Sequence, residues 1–133
     1  MKTKQKGDIA EALALYRLMQ QGYSVANPWG DNDRYDFLIE KAGYTYRVQV
    51  KYGRYDEETG TAEANTASVN ARTQEKEDYA GDADLIAVAV PEKDHVSLFT
   101  VSEAPKSGIR IRFEEPEKSS PNINWAEDSK IGG

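Results

Sequence analysis

A mixed β-sheet with helices on its faces, an α/β or α+β layer architecture, is what the chain predicts. Three observations lead there. Residues 7–21, GDIAEALALYRLMQQ, have helical spacing. Residues 35–53 read as two strands rich in β-branched and aromatic residues around a short Ala42-Gly43 turn. Residues 84–91, DLIAVAVP, form an almost unbroken apolar run, the pattern of a strand covered on both faces.

The first helix carries Ile9, Leu13, Tyr16 and Met19 as its apolar stripe, has Asp8 at its start and is stopped by Gly22. Glu11 flanks the stripe. Residues 23–28, 35–41 and 44–53 are strands. Residues 54–70 are polar, acidic and small, which predicts a mobile loop or an irregular hairpin. A second helix is predicted over 71–81. Strands follow at 84–91, at 96–101 and at 109–113, where Ile109, Ile111 and Phe113 alternate with Arg110 and Arg112. Residues 123–131 predict a short helix or an extended cap in which Trp125 plugs the core. His95 falls in the polar EKDH turn and is expected to be exposed.

At 133 residues, one domain spanning 1–133 is expected. There is no apolar run of about 20 residues that would cross a membrane. The basic start, MKTKQKGDIAEAL, has no apolar stretch of the signal-peptide kind. With no cysteine in the chain, disulfides and thiolate metal sites are excluded, and a cytoplasmic setting is favoured. A single histidine argues against zinc or triad chemistry built on imidazole. The net charge of −6 argues against a simple basic nucleic-acid binder. That charge is uneven, however: residues 1–54 hold nine Lys/Arg against six Asp/Glu, and residues 55–133 hold eight against seventeen.

The stretch DRYDFLIEKAGYTYRVQVKYG, residues 33–53, sets polar groups among core-like ones. Arg47, Gln49 and Lys51 alternate with Val48 and Val50 and so share a face. If Ala42-Gly43 is a two-residue turn, Asp36 stands opposite Gln49, with Cβ atoms about 5 Å apart. A three-residue turn would rotate Asp36 away. A carboxylate, an amide oxygen and the Val50 carbonyl are hard ligands suited to Mg²⁺, and Lys51 beside them is a cation that can orient or activate a water. Such a set suits phosphodiester hydrolysis. The competing reading of the same spacing is a cross-strand Asp36–Lys51 ion pair with Gln49 merely exposed.

Glu11, Asp36 and Gln49-Val50-Lys51 together resemble the PD-(D/E)XK nuclease superfamily, which has an Asp at the start of one strand and (D/E)-X-K on the next. The first-helix Glu resembles that of archaeal Holliday-junction resolvases. Residues 79–105, YAGDADLIAVAVPEKDHVSLFTVSEAP, and 122–128, NINWAED, resemble the endonucleases typified by group I intron homing endonucleases. The resemblance implies a restriction-endonuclease-like fold and a metal-dependent DNA endonuclease, either homing-type or a Holliday-junction resolvase. It implies Mg²⁺ or Mn²⁺ as cofactor, and Glu11, Asp36, Gln49 and the Val50 carbonyl as metal ligands. Lys51 would position or activate the attacking water. The departure is Gln49, which keeps an oxygen ligand but loses a charge, and Tyr35 stands where proline normally precedes the Asp. So small a domain implies a homodimer or higher homo-oligomer on DNA. A non-catalytic DNA-binding module of the same fold is the alternative of a different class.

Lys4, Lys6, Arg34, Arg47, Arg54, Ser68 and Arg72 are the candidate DNA contacts. The competing readings are a solvated tail for the N-terminal lysines and a helix-capping role for the residues around Asn70. Arg110 and Arg112 are expected to pair with acidic neighbours.

Overall fold

The structure, a computed structural model, describes residues 2–30, 35–66, 68–70, 75–77, 83–104, 107–116 and 123–132. Helix α1 runs over Thr3–Gln20, four residues earlier than expected. Its opening residues, TKQK, are adequate helix formers, and Gly7 is absorbed inside the helix rather than ending it. The buried stripe also differs from the expected one. Ala10, Ala14, Arg17 and Leu18 are buried, whereas Tyr16 and Met19 are exposed. Alanines spaced four apart let the helix lie close to the sheet, and Leu18 closes its far end. Burying that one leucine contributes about 1.5–3 kcal/mol.

The main sheet has five strands in the order β1(Ser24–Ala26), β2(Phe37–Lys41), β3(Tyr44–Tyr52), β8(Leu85–Val90), β9(His95–Thr100). Pairing is antiparallel except between β3 and β8, which run parallel. A parallel pair needs a long crossover, usually a helix. Here the described part of the crossover carries strands. β4(Arg54–Asp56) and β5(Thr61–Ala64) form a hairpin joined by β10(Ile109–Arg112) into a three-stranded sheet. Of the two alternatives for 54–70, the structure therefore has a hairpin in its first part. The predicted helix over 71–81 is not what forms: β7(Glu75–Glu77) pairs antiparallel with β6(Ser68–Asn70). Glu75, Lys76 and Glu77 are helix formers, but propensity is a weak bias and strand pairing overrides it. The rest of that stretch lies outside the described residues.

β8 explains the two-layered core. Ala87 and Ala89 face α1, alongside Ala10, Ala14, Val48 and Val50. Ile86, Val88 and Val90 face the other way and meet Ala62, Ala64, Ile109 and Ile111 of the three-stranded sheet. Gly53 lets β3 leave the first layer and enter the second. A Cβ there would lie 2.7 Å from Val90 Cγ2 and 3.0 Å from Val88 Cγ1. Both readings of the C-terminal segment have a counterpart: α2(Ala126–Ser129) is one turn, flanked by bridges from Trp125 to Arg112 and from Lys130 to Ser97. Trp125 is half-buried.

His95 is a correction. It is buried, only 4% exposed. It opens β9 rather than ending a solvated turn, and its ring packs edge-on against Phe113 at 4.9 Å. The Ser129 hydroxyl donates to Ser97 Oγ at 2.8 Å, and Ser97 Oγ shares a second hydrogen bond of 2.6 Å with His95 Nε2. Burial, followed by the nearby Lys130 charge, lowers the His95 pKa to about 4.

Candidate active site

The β2–β3 turn is the two-residue one. Ala42 and Gly43 both have positive φ, 54° and 85°, and Lys41 pairs with Tyr44. The register carries through to Phe37 opposite Val48. One step further the regular ladder would hand the Val50 N–H to the Tyr35 carbonyl. Instead, the Asp36 amide donates to the Val48 carbonyl at 2.8 Å, and the Val50 amide donates to Asp36 Oδ2 at 2.7 Å. The carboxylate has replaced a strand partner. Within a strand a residue's N–H and C=O point to the same side, so the Val50 carbonyl also points toward Asp36.

Gln49 and Lys51 flank Val50 on the face away from α1, and all three polar side chains are half-buried. Burial raises the Asp36 pKa; the Val50 hydrogen bond and the Lys51 charge pull it down without cancelling that effect. Glu11 lies on α1, on the other face of β3 from Gln49 and Lys51, and feels the Asp36 charge. It is half-buried beside the alanine stripe, and its pKa is raised by burial, then by the Asp36 carboxylate and by Asp8, with Lys4 opposing. Both carboxylates thus sit partly desolvated, where charge is costly. Among the described residues no group of three His, Cys, Asp or Glu could hold a metal. The donors present are two carboxylates, the Gln49 amide oxygen and the Val50 carbonyl. That all-oxygen set fits a hard divalent cation that retains some water, with less charge than a three-carboxylate site.

The remaining sequence candidates divide. Lys4 is exposed and pairs with Asp8 at 3.5 Å, on the helical face that also carries Glu11. Arg47 is held by Asp84: its amide donates to Asp84 Oδ2 at 2.8 Å, and its guanidinium reaches the same carboxylate at 3.3 and 3.2 Å. These bonds hold the Asp84 pKa below the usual carboxylate range and tie β3 to the start of β8. Lys6 stacks over Tyr52, 5.6 Å from the ring centroid, beside Arg54. Ser68 begins β6. Arg34 and Arg72 lie outside the described residues. The sequence reading missed the acidic partner of Arg47. The Asp-Ala-Asp before the apolar run was the available signal, since an acid at a strand entrance faces the neighbouring strand.

A family model described as PD-(D/E)XK endonuclease matches residues 1–131. The chain belongs to the PD-(D/E)XK endonuclease family. It is a metal-dependent DNA endonuclease by that membership. The structure is similar to that of a bacterial homing endonuclease, I-Ssp6803I, with a TM-score of 0.73 and 27% sequence identity over 97% of this chain and 86% of that one. No curated protein matches the chain. The mixed sheet with α1 on one face is thus a restriction-endonuclease-like fold. No helix among the described residues is long and apolar enough to cross a membrane.

Proposed function

We propose that this PD-(D/E)XK endonuclease cuts DNA at the Asp36 cluster, in the manner of a homing endonuclease and with Mg²⁺ or Mn²⁺ as the cation. The observation that carries the assignment is the Asp36 carboxylate held on the Val50 amide at 2.7 Å. It fixes one ligand rigidly beside Gln49 and Lys51, with Glu11 approaching from α1 on the other face of β3.

Glu11, Asp36, Gln49 Oε1 and the Val50 carbonyl would hold the cation, which supplies electrophilic charge at the scissile phosphate. Lys51 orients the attacking water, and its positive charge offsets negative charge gathering on the phosphate. The Val50 hydrogen bond keeps Asp36 from rotating toward solvent. A domain of 133 residues covers little DNA, which supports work as a homodimer or higher homo-oligomer. The lack of cysteine fits a cytoplasmic setting.

The test is nicking of supercoiled plasmid and of a synthetic four-way junction in Mg²⁺, Mn²⁺ or EDTA. Wild type should cut in either metal, and Asp36→Ala and Lys51→Ala should not. Preference for long duplex supports the homing reading, and symmetric cutting of the junction selects the resolvase. Equal activity in all three proteins would remove the assignment, and intact DNA binding with no cutting would indicate a non-catalytic module.

A further inference from the structure

Beyond the catalytic cluster, the outer face of the three-stranded sheet carries an ordered row of charge. Arg54 on β4 stands across from Glu63 on β5, and Glu63 stands across from Arg110 on β10. All three are exposed. Arg110 Nε donates to Glu63 Oε1 at 2.8 Å, and its Nη2 reaches the same oxygen. The row borders a cleft of about 590 Å³ whose opposite wall is the start of α1, with Lys6 set over the Tyr52 ring. Tyr52 directly follows Lys51. The cleft therefore opens at the end of the strand that carries the catalytic cluster.

In a chain of net charge −6, three cations around a single acid beside the site are not explained by the average surface. Nor do they stabilise the fold much, since exposed ion pairs contribute about 0–1 kcal/mol. Planar guanidinium groups on the two strands that flank β5 suit phosphate oxygens.

We propose that this cleft grips the DNA backbone beside the cut, with Lys6, Arg54 and Arg110 taking phosphates and Glu63 occupying, in the free protein, the place between the arginines that a phosphate takes on binding. The proposal rests on the nuclease reading and identifies the face on which the substrate lies. Glu63 is then an electrostatic stand-in, and its charge opposes DNA.

Fluorescence anisotropy with a labelled random-sequence 40-base-pair duplex, in EDTA and over a range of KCl, reads binding without cleavage. Lys6→Gln, Arg54→Gln and Arg110→Gln should each weaken binding about five- to tenfold and lower the slope of log K against log salt by about 0.9. Glu63→Gln should do the reverse and tighten binding several-fold. Lys41→Gln is the control. Its ammonium bonds the Gln21 carbonyl at 2.7 Å at the turn end of β2, and it should bind as wild type does. Melting temperatures of the variants identify any that fail to fold, and for those the opposite-sign variant Glu63→Gln decides. Binding by all four variants equal to that of Lys41→Gln would overturn the proposal. So would Glu63→Gln weakening binding as Arg110→Gln does, since that marks the pair as structural. Metal-dependent plasmid nicking by wild type, read alongside, keeps the catalytic assignment standing if the cleft fails; no salt-sensitive binding by wild type would overturn both.

Discussion

The Asp36 carboxylate accepts a hydrogen bond from the Val50 amide at 2.7 Å, in the place where the ladder between β2 and β3 would otherwise continue. A half-buried charge is thereby fixed just before β2 begins, at a cost to the fold. Its pKa is raised, so the folded state holds its proton more tightly than the unfolded chain does, and stability falls as pH rises through the carboxylate range. Asp36→Asn keeps an oxygen for the Val50 amide and removes the charge. Cleavage should drop at least about 100-fold while the melting temperature at pH 7 stays level or rises. Plasmid nicking and calorimetry on the same preparation check both halves. A variant that loses activity and stability together would mean that Asp36 is only a structural residue.

Gln49 gives the site an oxygen without a charge. Gln49→Glu should add a third carboxylate and shift the Mg²⁺ concentration for half-maximal cutting down by about tenfold, because affinity at such sites follows ligand charge. Gln49→Ala should shift it up. Cleavage rates across a metal titration read this directly. Stripping metal with EDTA should abolish cutting in all three proteins and leave their folds intact, because the core on both sides of β8 is apolar and independent of the site.

Much of this site was legible because it is local. Ala42-Gly43 as a two-residue turn sets the β2–β3 register, and Asp36, Gln49 and Lys51 follow from the two-residue period of a strand. What was not legible depends on residues distant in the chain. The alternation of Arg110 and Arg112 predicted the face of β10, but only the sheet order places Arg110 against Glu63, 47 residues earlier. His95 read as a turn residue because its neighbours Glu92, Lys93 and Asp94 are polar, yet the 3-10 turn over Pro91–Lys93 ends just before it and the ring goes inward. Residues 75–77 carry helix-favouring side chains, and their strand exists only through pairing with 68–70.

His95 gives the fold a pH dependence distinct from that of the carboxylates. Its folded pKa is lowered to about 4 from 6.5, so below 6.5 the unfolded chain binds a proton that the folded one refuses. Stability from this group is complete above pH 6.5 and is lost as pH falls toward 4, by up to about 3 kcal/mol. His95→Gln retains a hydrogen-bonding group for Ser97 and cannot titrate. Urea unfolding at pH 7, 5.5 and 4.5 should show wild type losing more stability than the variant. Parallel losses would mean that the ring is protonated in the folded protein.

The β2–β3 turn sets the register of the site and yet holds an alanine at φ 54°. A Cβ in the left-handed region costs about 1 kcal/mol, and both central positions of this turn type favour Asn or Gly. Gly43 already meets that demand, its amide donating to Glu40 Oε1 at 2.9 Å. Ala42→Asn or Ala42→Gly should therefore stabilise the protein by about 0.5–1 kcal/mol in urea unfolding, with Asn ahead because Gly loses more chain entropy. Adding a residue between Ala42 and Gly43 should act in the opposite way: it slips the ladder, turns Asp36 away from Gln49 and Lys51 and Phe37 and Ile39 out of the core, and should abolish cleavage and lower stability. A cleavage-competent insertion variant would show that the register of β2 against β3 does not assemble the site.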